Sequence, residues 1–100
     1  MSMTVAVTRN VSLRVRGFLA STMLEIAPGV YSAPRLSPAV RERVWKVLCG
    51  WFMAEVDASI VMIWADTNQP GGQNVRVLGL PPVKFIDLDG LVITYKASQQ

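Results

Sequence analysis

The chain has 100 residues, of which 51% are hydrophobic and 17% charged, a composition typical of one folded domain and too apolar for a disordered chain. It contains no histidine and a single cysteine, Cys49. These absences exclude catalysis by Ser-His-Asp or Cys-His groups, histidine-ligated zinc, an intramolecular disulfide and cysteine-cluster metal sites. What remains is a binding module, a scaffold subunit, or an enzyme that uses carboxylates and a metal ion.

The net charge of +3 is distributed unevenly along the chain. Residues 1–50 carry seven Arg and Lys against two Glu, a net +5, whereas residues 51–100 carry three against five acidic residues, a net −2. A basic half on a small domain favours a polyanionic partner, most simply nucleic acid, although an ordinary solvated surface has the same composition. No apolar run approaches the roughly 18 residues of a membrane span, so we expect a cytoplasmic protein with no membrane partner.

The first third of the chain predicts a strand followed by a helix. Residues 3–8 are rich in β-branched side chains and alternate in polarity, which is typical of a strand. Asn10 or Ser12 can cap the helix that follows. Pro28 and Gly29 end that helix. Its apolar stripe consists of Val15, Leu19, Met23 and Ile26.

The next segment predicts a short extended stretch and a second helix. Residues 30–33 favour an extended conformation, which Pro34 interrupts. Ser37 and Pro38 are typical of a helix start, with a capping hydroxyl followed by proline at the first helical position. The helix then presents an apolar stripe of Val40, Val44, Val47, Leu48 and Trp51.

The charged residues of this second helix predict a solvated outer face. Arg41, Arg43 and Lys46 lie off the apolar stripe, so they either extend a basic surface or, as we expect, simply face solvent. Glu42 precedes Lys46 by four residues, the order that supports an ion pair along a helix.

Three strands are predicted in the last part of the chain. Residues 59–66 form a strand, 68–72 a turn and 74–80 a second strand, which together make a hairpin. Residues 87–90 form a turn that leads into a last strand over 91–95. The strand over 59–66 is apolar on both faces, with Ile60, Met62 and Trp64 on one and Val61, Ile63 and Ala65 on the other.

The order β-α-β-α-β-β-β predicts an α/β (α+β) sandwich of ferredoxin-like pattern, with a mostly antiparallel sheet and two helices on one face. We expect one domain over residues 1–95 and a polar tail over 96–100. The uncovered face would expose a large apolar patch, because the strand over 59–66 is apolar on both sides. A second copy is the simplest cover, so we predict a homodimer packed through sheet faces or through the last strands.

Arg14 and Arg16 are the leading candidates for a binding role. They stand in the first turns of the first helix, where a cation opposes the helix dipole. Two residues apart on a helix, they point about 200° apart and flank the element. This arrangement suits phosphate contacts spread along a nucleic-acid backbone, although solvated charge is the alternative.

Asp87 and Asp89 form an Asp-x-Asp pair before Gly90, which is compatible with a metal site. A calcium loop would need further ligands where Leu91 and Ile93 stand, so the pattern favours a turn. A magnesium-dependent endonuclease that uses these carboxylates is the alternative to a binding protein, and magnesium would then be its cofactor.

Several segments together resemble one family, the type I-E branch of the CRISPR-associated "Cas-two" proteins, over residues 1–95. These segments include Val5-Ala6-Val7-Thr8, Asn10-Val11, Arg14-x-Arg16-Gly17-x-Leu19-Ala20, Leu24-Glu25, Pro28-Gly29-Val30-Tyr31, Val40-Arg41-Glu42-x-x-Trp45, Ile60-Val61-Met62-x-Trp64-Ala65 and Asp87-Leu88-Asp89-Gly90-Leu91. Their order and spacing over the whole chain are specific.

The resemblance implies a ferredoxin-like homodimer that takes part in spacer acquisition between two dimers of the "Cas-one" integrase subunit. Such a protein holds double-stranded DNA as a scaffold, and the integrase subunits perform strand transfer. Arg14 and Arg16 match the family's phosphate-contacting arginines. The strand that docks on the integrase subunit corresponds to Leu91, Val92, Ile93, Thr94 and Tyr95.

The chain also departs from the family pattern. Arg9 stands where an acidic residue usually follows the first strand, and an arginine repels the metal ion that nuclease activity needs. We therefore expect no catalytic residue, metal site or cofactor in this chain, and Arg9 and the adjacent Asn10 could contact DNA instead. A basic pair usual before the last turn is replaced by Pro82 and Val83, which leaves Lys84 as the nearby cation.

Overall fold

A computed structural model describes residues 2–81 and 83–96, apart from the side chains of 83–85, 87, 95 and 96. Residues 97–100, most of the predicted polar tail, lie outside the described residues. A short 3₁₀ turn, Pro70–Gly72, precedes the strand that begins at Gln73. The elements are β1 (Ser2–Arg9), α1 (Leu13–Thr22), β2 (Leu24–Ala27), β3 (Val30–Leu36), α2 (Pro38–Phe52), β4 (Ser59–Ala65), β5 (Gln73–Leu78), β6 (Val83–Leu88) and β7 (Leu91–Lys96).

Five strands form one antiparallel sheet in the order β2-β3-β1-β4-β5. The elements from β1 to β4 have the β-α-β-β-α-β order of a ferredoxin-like sandwich, to which β5 adds an edge strand. Strands β6 and β7 form a separate two-stranded sheet. The predicted α+β sandwich is therefore confirmed.

Both helices pack on the same face of the sheet. Val15 and Leu19 of α1 and Val44 and Leu48 of α2 are buried in one cluster with the inward side chains of the strands. The strand residues of this cluster are Ala6, Tyr31, Ala33, Leu36, Ile60, Met62 and Trp64. The core is thus a single layer between the helices and one sheet face.

Local capping sets where each helix begins. The Ser12 hydroxyl accepts a hydrogen bond of 3.4 Å from the Val15 N–H, and the Ser37 hydroxyl accepts one of 3.2 Å from the Val40 N–H. Both predicted starts are confirmed, with Ser12 rather than Asn10 as the first cap. Neither of these helices, the two found in the described residues, is long and apolar enough to cross a membrane.

The predicted extension of the first helix to Ile26 is wrong, because α1 ends at Thr22 and Leu24–Ala27 is strand β2. The Ser21 and Thr22 hydroxyls bond back to carbonyls of the last turn, which offers the backbone an alternative to further helix. Residues 24–27 are a strand because they pair with β3, where Leu24 lies opposite Ser32. Since Ser32 lies on the other side of the turn, the helical spacing of apolar residues does not reveal this pairing.

Two further boundaries differ from expectation. Strand β3 continues through Pro34 to Leu36, and a register shift against β1 accommodates the proline there. Strand β6 occupies Val83–Leu88, where no strand is expected from the sequence, and so includes Asp87. The turn itself is confirmed at Asp89 and Gly90, whose φ angles of 53° and 87° are those of a tight hairpin.

Within the part of the chain that the structure describes, no helix covers the opposite face of the five-stranded sheet. Val5 and Val7 of β1 lie opposite Ile63 and Val61 of β4, and Val61 lies in turn opposite Val77 of β5. These side chains remain half-buried or exposed, with Val7 at 39% exposure. We call this surface, defined by these five residues, the open face.

Candidate nucleic-acid interface

A hollow of about 400 Å³ lies where β1 ends and α1 begins. Two of its lining residues are bonded to each other, because the Thr8 N–H and hydroxyl both donate to the Gly29 carbonyl, at 2.7 and 3.0 Å. Gly29 has a φ of 77°, and a Cβ there would lie 2.7 Å from the Thr8 carbonyl oxygen, so glycine is required. The hollow is lined by Thr8, Arg9, Asn10, Val11, Arg16, Pro28 and Gly29.

The loop between β1 and α1 is tied to the loop that follows α2. The Asn10 amide donates to the carbonyls of Val56 and Asp57 at 3.2 and 3.3 Å. The Ser12 N–H donates to a Glu55 carboxylate oxygen at 2.6 Å. These bonds fix the start of α1 and the rim of the hollow. Asn10, a predicted DNA contact, thus has its amide nitrogen engaged within the fold.

Arg16 and Arg9 share the hollow, so the structure brings together two of the predicted DNA-binding arginines. The Arg16 guanidinium lies 3.7 Å from a carboxylate oxygen of Glu25 on β2, and both side chains are partly exposed. The same oxygen accepts a hydrogen bond of 3.1 Å from the Gly29 N–H. Sequence reasoning missed Glu25, because β2 was predicted as helix.

Arg14 lies on the opposite flank of α1, as helical spacing predicts. Its guanidinium is 4.0 Å from the centre of the Trp51 ring, a cation–π contact. Trp51 is held by an edge-to-face contact with Phe18, with ring centres 5.2 Å apart. Arg14 therefore lies outside the hollow, with its side chain exposed and its guanidinium against the Trp51 ring.

Lys84, the remaining cation of the predicted DNA-binding set, has its backbone on β6. Its strand, β6, contacts the 3₁₀ turn Pro70–Gly72, which follows the end of β4 that pairs with the start of β1. Arg9 lies at the other end of β1, opposite Ser59. The side chain of Lys84 lies outside the described residues.

The predicted partner-binding strand is exposed on β7. Leu91 is 64% exposed, and Val92 and Ile93 are about as exposed as Val7 of the open face. Thr94 is also exposed, whereas the side chain of Tyr95 lies outside the described residues. The hairpin therefore presents apolar side chains to solvent. Because a two-stranded sheet alone is only marginally stable in water, it would be stabilised by a partner that covers them.

The residues around the hollow do not suit a cation. Within the part of the chain that the structure describes, no group of three His, Cys, Asp or Glu side chains is placed to hold a metal ion. Arg9 and Arg16 would repel one at the hollow. Asp89 lies exposed in the hairpin turn, and the side chain of Asp87 lies outside the described residues. The magnesium-dependent endonuclease stays the alternative prediction.

Arg41 does not lie on a solvated helix face, so that prediction is wrong. It is 8% exposed, and its guanidinium lies 4.2 Å from the centre of the Trp64 ring. Burial lowers the pKa of Arg41, although the guanidinium remains charged at any physiological pH. The ring offers Arg41 a partial substitute for water. Arg43 and Lys46 are exposed, as expected.

Glu42 forms its ion pair across the fold instead of along the helix. Its carboxylate accepts hydrogen bonds of 2.6 and 2.5 Å from the two terminal nitrogens of Arg76 on β5. These bonds lower the pKa of Glu42 and raise that of Arg76. The sequence suggested Lys46 as the partner, but a two-pronged bond to a planar guanidinium is the stronger interaction.

A family model described as a CRISPR-associated protein, Cas_Cas2CT1978, matches residues 3–93. The matched range covers nearly the whole chain and includes both helices, the five-stranded sheet apart from Ser2, and the hairpin turn. It also includes every residue of the hollow.

Proposed function

The chain belongs to the CRISPR-associated Cas_Cas2CT1978 family, and on that premise we propose that it is a type I-E subunit of spacer acquisition. In this role it is a homodimeric scaffold that binds double-stranded DNA and bridges two dimers of a "Cas-one" integrase subunit. The observation that carries the proposal is the placement of three exposed arginines, Arg9, Arg14 and Arg16, around the fixed start of α1.

These arginines suit contact with the phosphates of DNA rather than with its bases. Arg9 and Arg16 line one hollow, while Arg14 extends from the other flank of α1 on Trp51. Guanidiniums distributed over a rim can follow a nucleic-acid backbone without reading sequence. Indifference to sequence is what a subunit that captures foreign DNA requires.

The open face supports the homodimer. Val5, Val7 and Ile63 form part of a continuous apolar surface that neither helix covers. A second copy of the chain would bury this surface against its own equivalent, since a two-fold interface uses the same patch twice. We call Arg9, Arg14 and Arg16 together the arginine rim. The dimer would then present two arginine rims to one duplex.

The β6–β7 hairpin supports the contact with the integrase subunit. An exposed strand can add a strand of a partner by backbone hydrogen bonds, with alternate side chains giving specificity. Leu91 and Ile93 lie on the same side of β7 and are exposed. They would supply the apolar part of that contact.

The salt dependence of DNA binding tests the proposal. Replacing Arg14→Ala and Arg16→Ala together should weaken duplex binding and reduce the slope of log K against log salt by about 0.9 for each lost phosphate contact. The pair Arg43→Ala and Lys46→Ala removes the same charge from the exposed surface of α2 and serves as the control. Equal slopes in the two double variants would contradict the proposal.

We propose further that this chain supplies no catalytic residue and no cofactor, and that the integrase subunit performs the chemistry. The purified protein should leave DNA and RNA intact in the presence of magnesium. Cleavage that a chelator abolishes and that Asp87→Ala removes would instead establish the endonuclease alternative.

A further inference from the structure

The carboxylate of Glu25 lies beside Arg16, one of the two arginines that line the hollow. Glu25 lies on β2 opposite Tyr31, on the side of the sheet that the helices cover, and its Oε2 is 3.7 Å from the Arg16 guanidinium. The Gly29 N–H donates to the same oxygen at 3.1 Å. The backbone of the β2–β3 turn thus holds the carboxylate beside Arg16.

A carboxylate and a phosphate ester make the same demand on arginine. Each presents oxygens that accept the parallel N–H groups of a guanidinium, so one can replace the other at a single arginine. Arg16 also lines the hollow with Arg9, which leaves a phosphate two cations to approach. Among the described ion pairs, Glu25 is paired with Arg16 and not with Arg9.

Resting on the proposed function, we infer that Glu25 occupies in the free protein the place at Arg16 that a DNA phosphate takes on binding. Glu25 is thus an internal competitor that limits the affinity of the rim for DNA. The exchange is easy because the Arg16–Glu25 pair is exposed, long and screened by salt. Once displaced, the carboxylate stays close to the bound phosphate and repels it.

The structure also provides a way to remove this competition without disturbing the turn. In Glu25→Gln the side chain keeps an oxygen that can accept the Gly29 N–H, but it loses the charge that attracts Arg16. Glu42→Gln makes the same charge change at the far edge of the sheet, where Glu42 pairs with Arg76. It is therefore the matched control for net charge.

The experiment measures the affinity of both variants and the wild type for a short DNA duplex at several salt concentrations. Because exposed ion pairs alter an equilibrium by at most about fivefold, we expect Glu25→Gln to bind about twofold to fivefold more tightly than Glu42→Gln. The slope of log K against log salt should steepen by up to about 0.9, because an Arg16 that is not paired with a carboxylate neutralises a full DNA phosphate and so releases its counterion. Thermal unfolding of each variant checks that the fold is kept.

A double-variant cycle decides whether Glu25 acts through Arg16. In the Arg16→Ala background, Glu25→Gln should lose its advantage over Glu42→Gln. An equal gain with and without Arg16 would mean a general charge effect and overturn the inference. Weaker binding by Glu25→Gln would mean that Glu25 positions Arg16, which also overturns it. A wild-type protein that does not bind duplex DNA overturns the proposed function as well, whereas a binding wild type with an unresponsive Glu25→Gln overturns this inference alone.

Discussion

The two faces of the five-stranded sheet are built from similar residues but have different surroundings. Ile60 and Met62 of β4 are fully buried beneath the helices, whereas Val61 and Ile63 of the same strand lie on the open face and remain half-buried. Adjacent positions of one strand therefore differ in whether they contribute to the stability of the single chain or to association. The covered face stabilises the single chain, and the open face keeps apolar area available for association.

We expect the free energy of unfolding to depend more on side chains of the covered face than on those of the open face. We expect Ile60→Ala to lower the free energy of unfolding by about 2–5 kcal/mol, because it leaves a cavity at a fully buried site. Val61→Ala, one residue along on the other face, should cost less in the same measurement at low protein concentration. Denaturant unfolding of both variants gives the comparison, and equal losses would show that the two faces do not differ in this way.

The open face should govern association. Ile63→Lys places a charge in the middle of this surface, and we expect it to weaken self-association at least about tenfold because the charge would have to be desolvated. Ala39→Lys adds the same charge at an exposed position of α2 and should leave association unchanged. Sedimentation of both variants over a range of concentrations measures the effect. Similar dissociation of the two variants would locate the interface elsewhere.

A smaller effect is expected at the edge of the covered face, where Glu42 pairs with Arg76. Since the bond to Arg76 lowers the pKa of Glu42 in the folded state, the carboxylate contributes stability above its usual pKa of 4.5 and loses it as the pH falls through the lower folded value. The stability difference between the wild type and Glu42→Gln should thus be present at neutral pH and vanish in acid. Unfolding measured from pH 7 downward tests this, and a difference that does not change with pH would contradict it.

Features that depend on neighbouring residues could be predicted from the sequence. Ser37 and Pro38 indicated the start of α2 because a cap and a fixed φ act within one turn. The short continuous apolar run in 59–66 predicted both the strand and its two apolar faces. Asp89 and Gly90 indicated a hairpin turn because both tolerate positive φ.

Features that depend on distant pairing could not. Met23, which caps the end of α1, is buried as the predicted stripe requires. Ile26 instead belongs to β2, whose existence depends on pairing with β3. Arg41 is buried because Trp64 offers its guanidinium an aromatic face. Glu25 reaches Arg16 only after β2 and α1 have packed together. The arginines of the candidate site could be named from sequence, but the acid beside them could not.

The stoichiometry of the protein on a short DNA duplex tests the central claim most directly, because it depends on both the open face and the arginine rim. Sedimentation of the complex should give a protein mass of twice 11.0 kDa for each duplex, and Ile63→Lys should reduce both this mass and the affinity. A single chain on the duplex, or no sedimentation of the protein with DNA, would contradict the account.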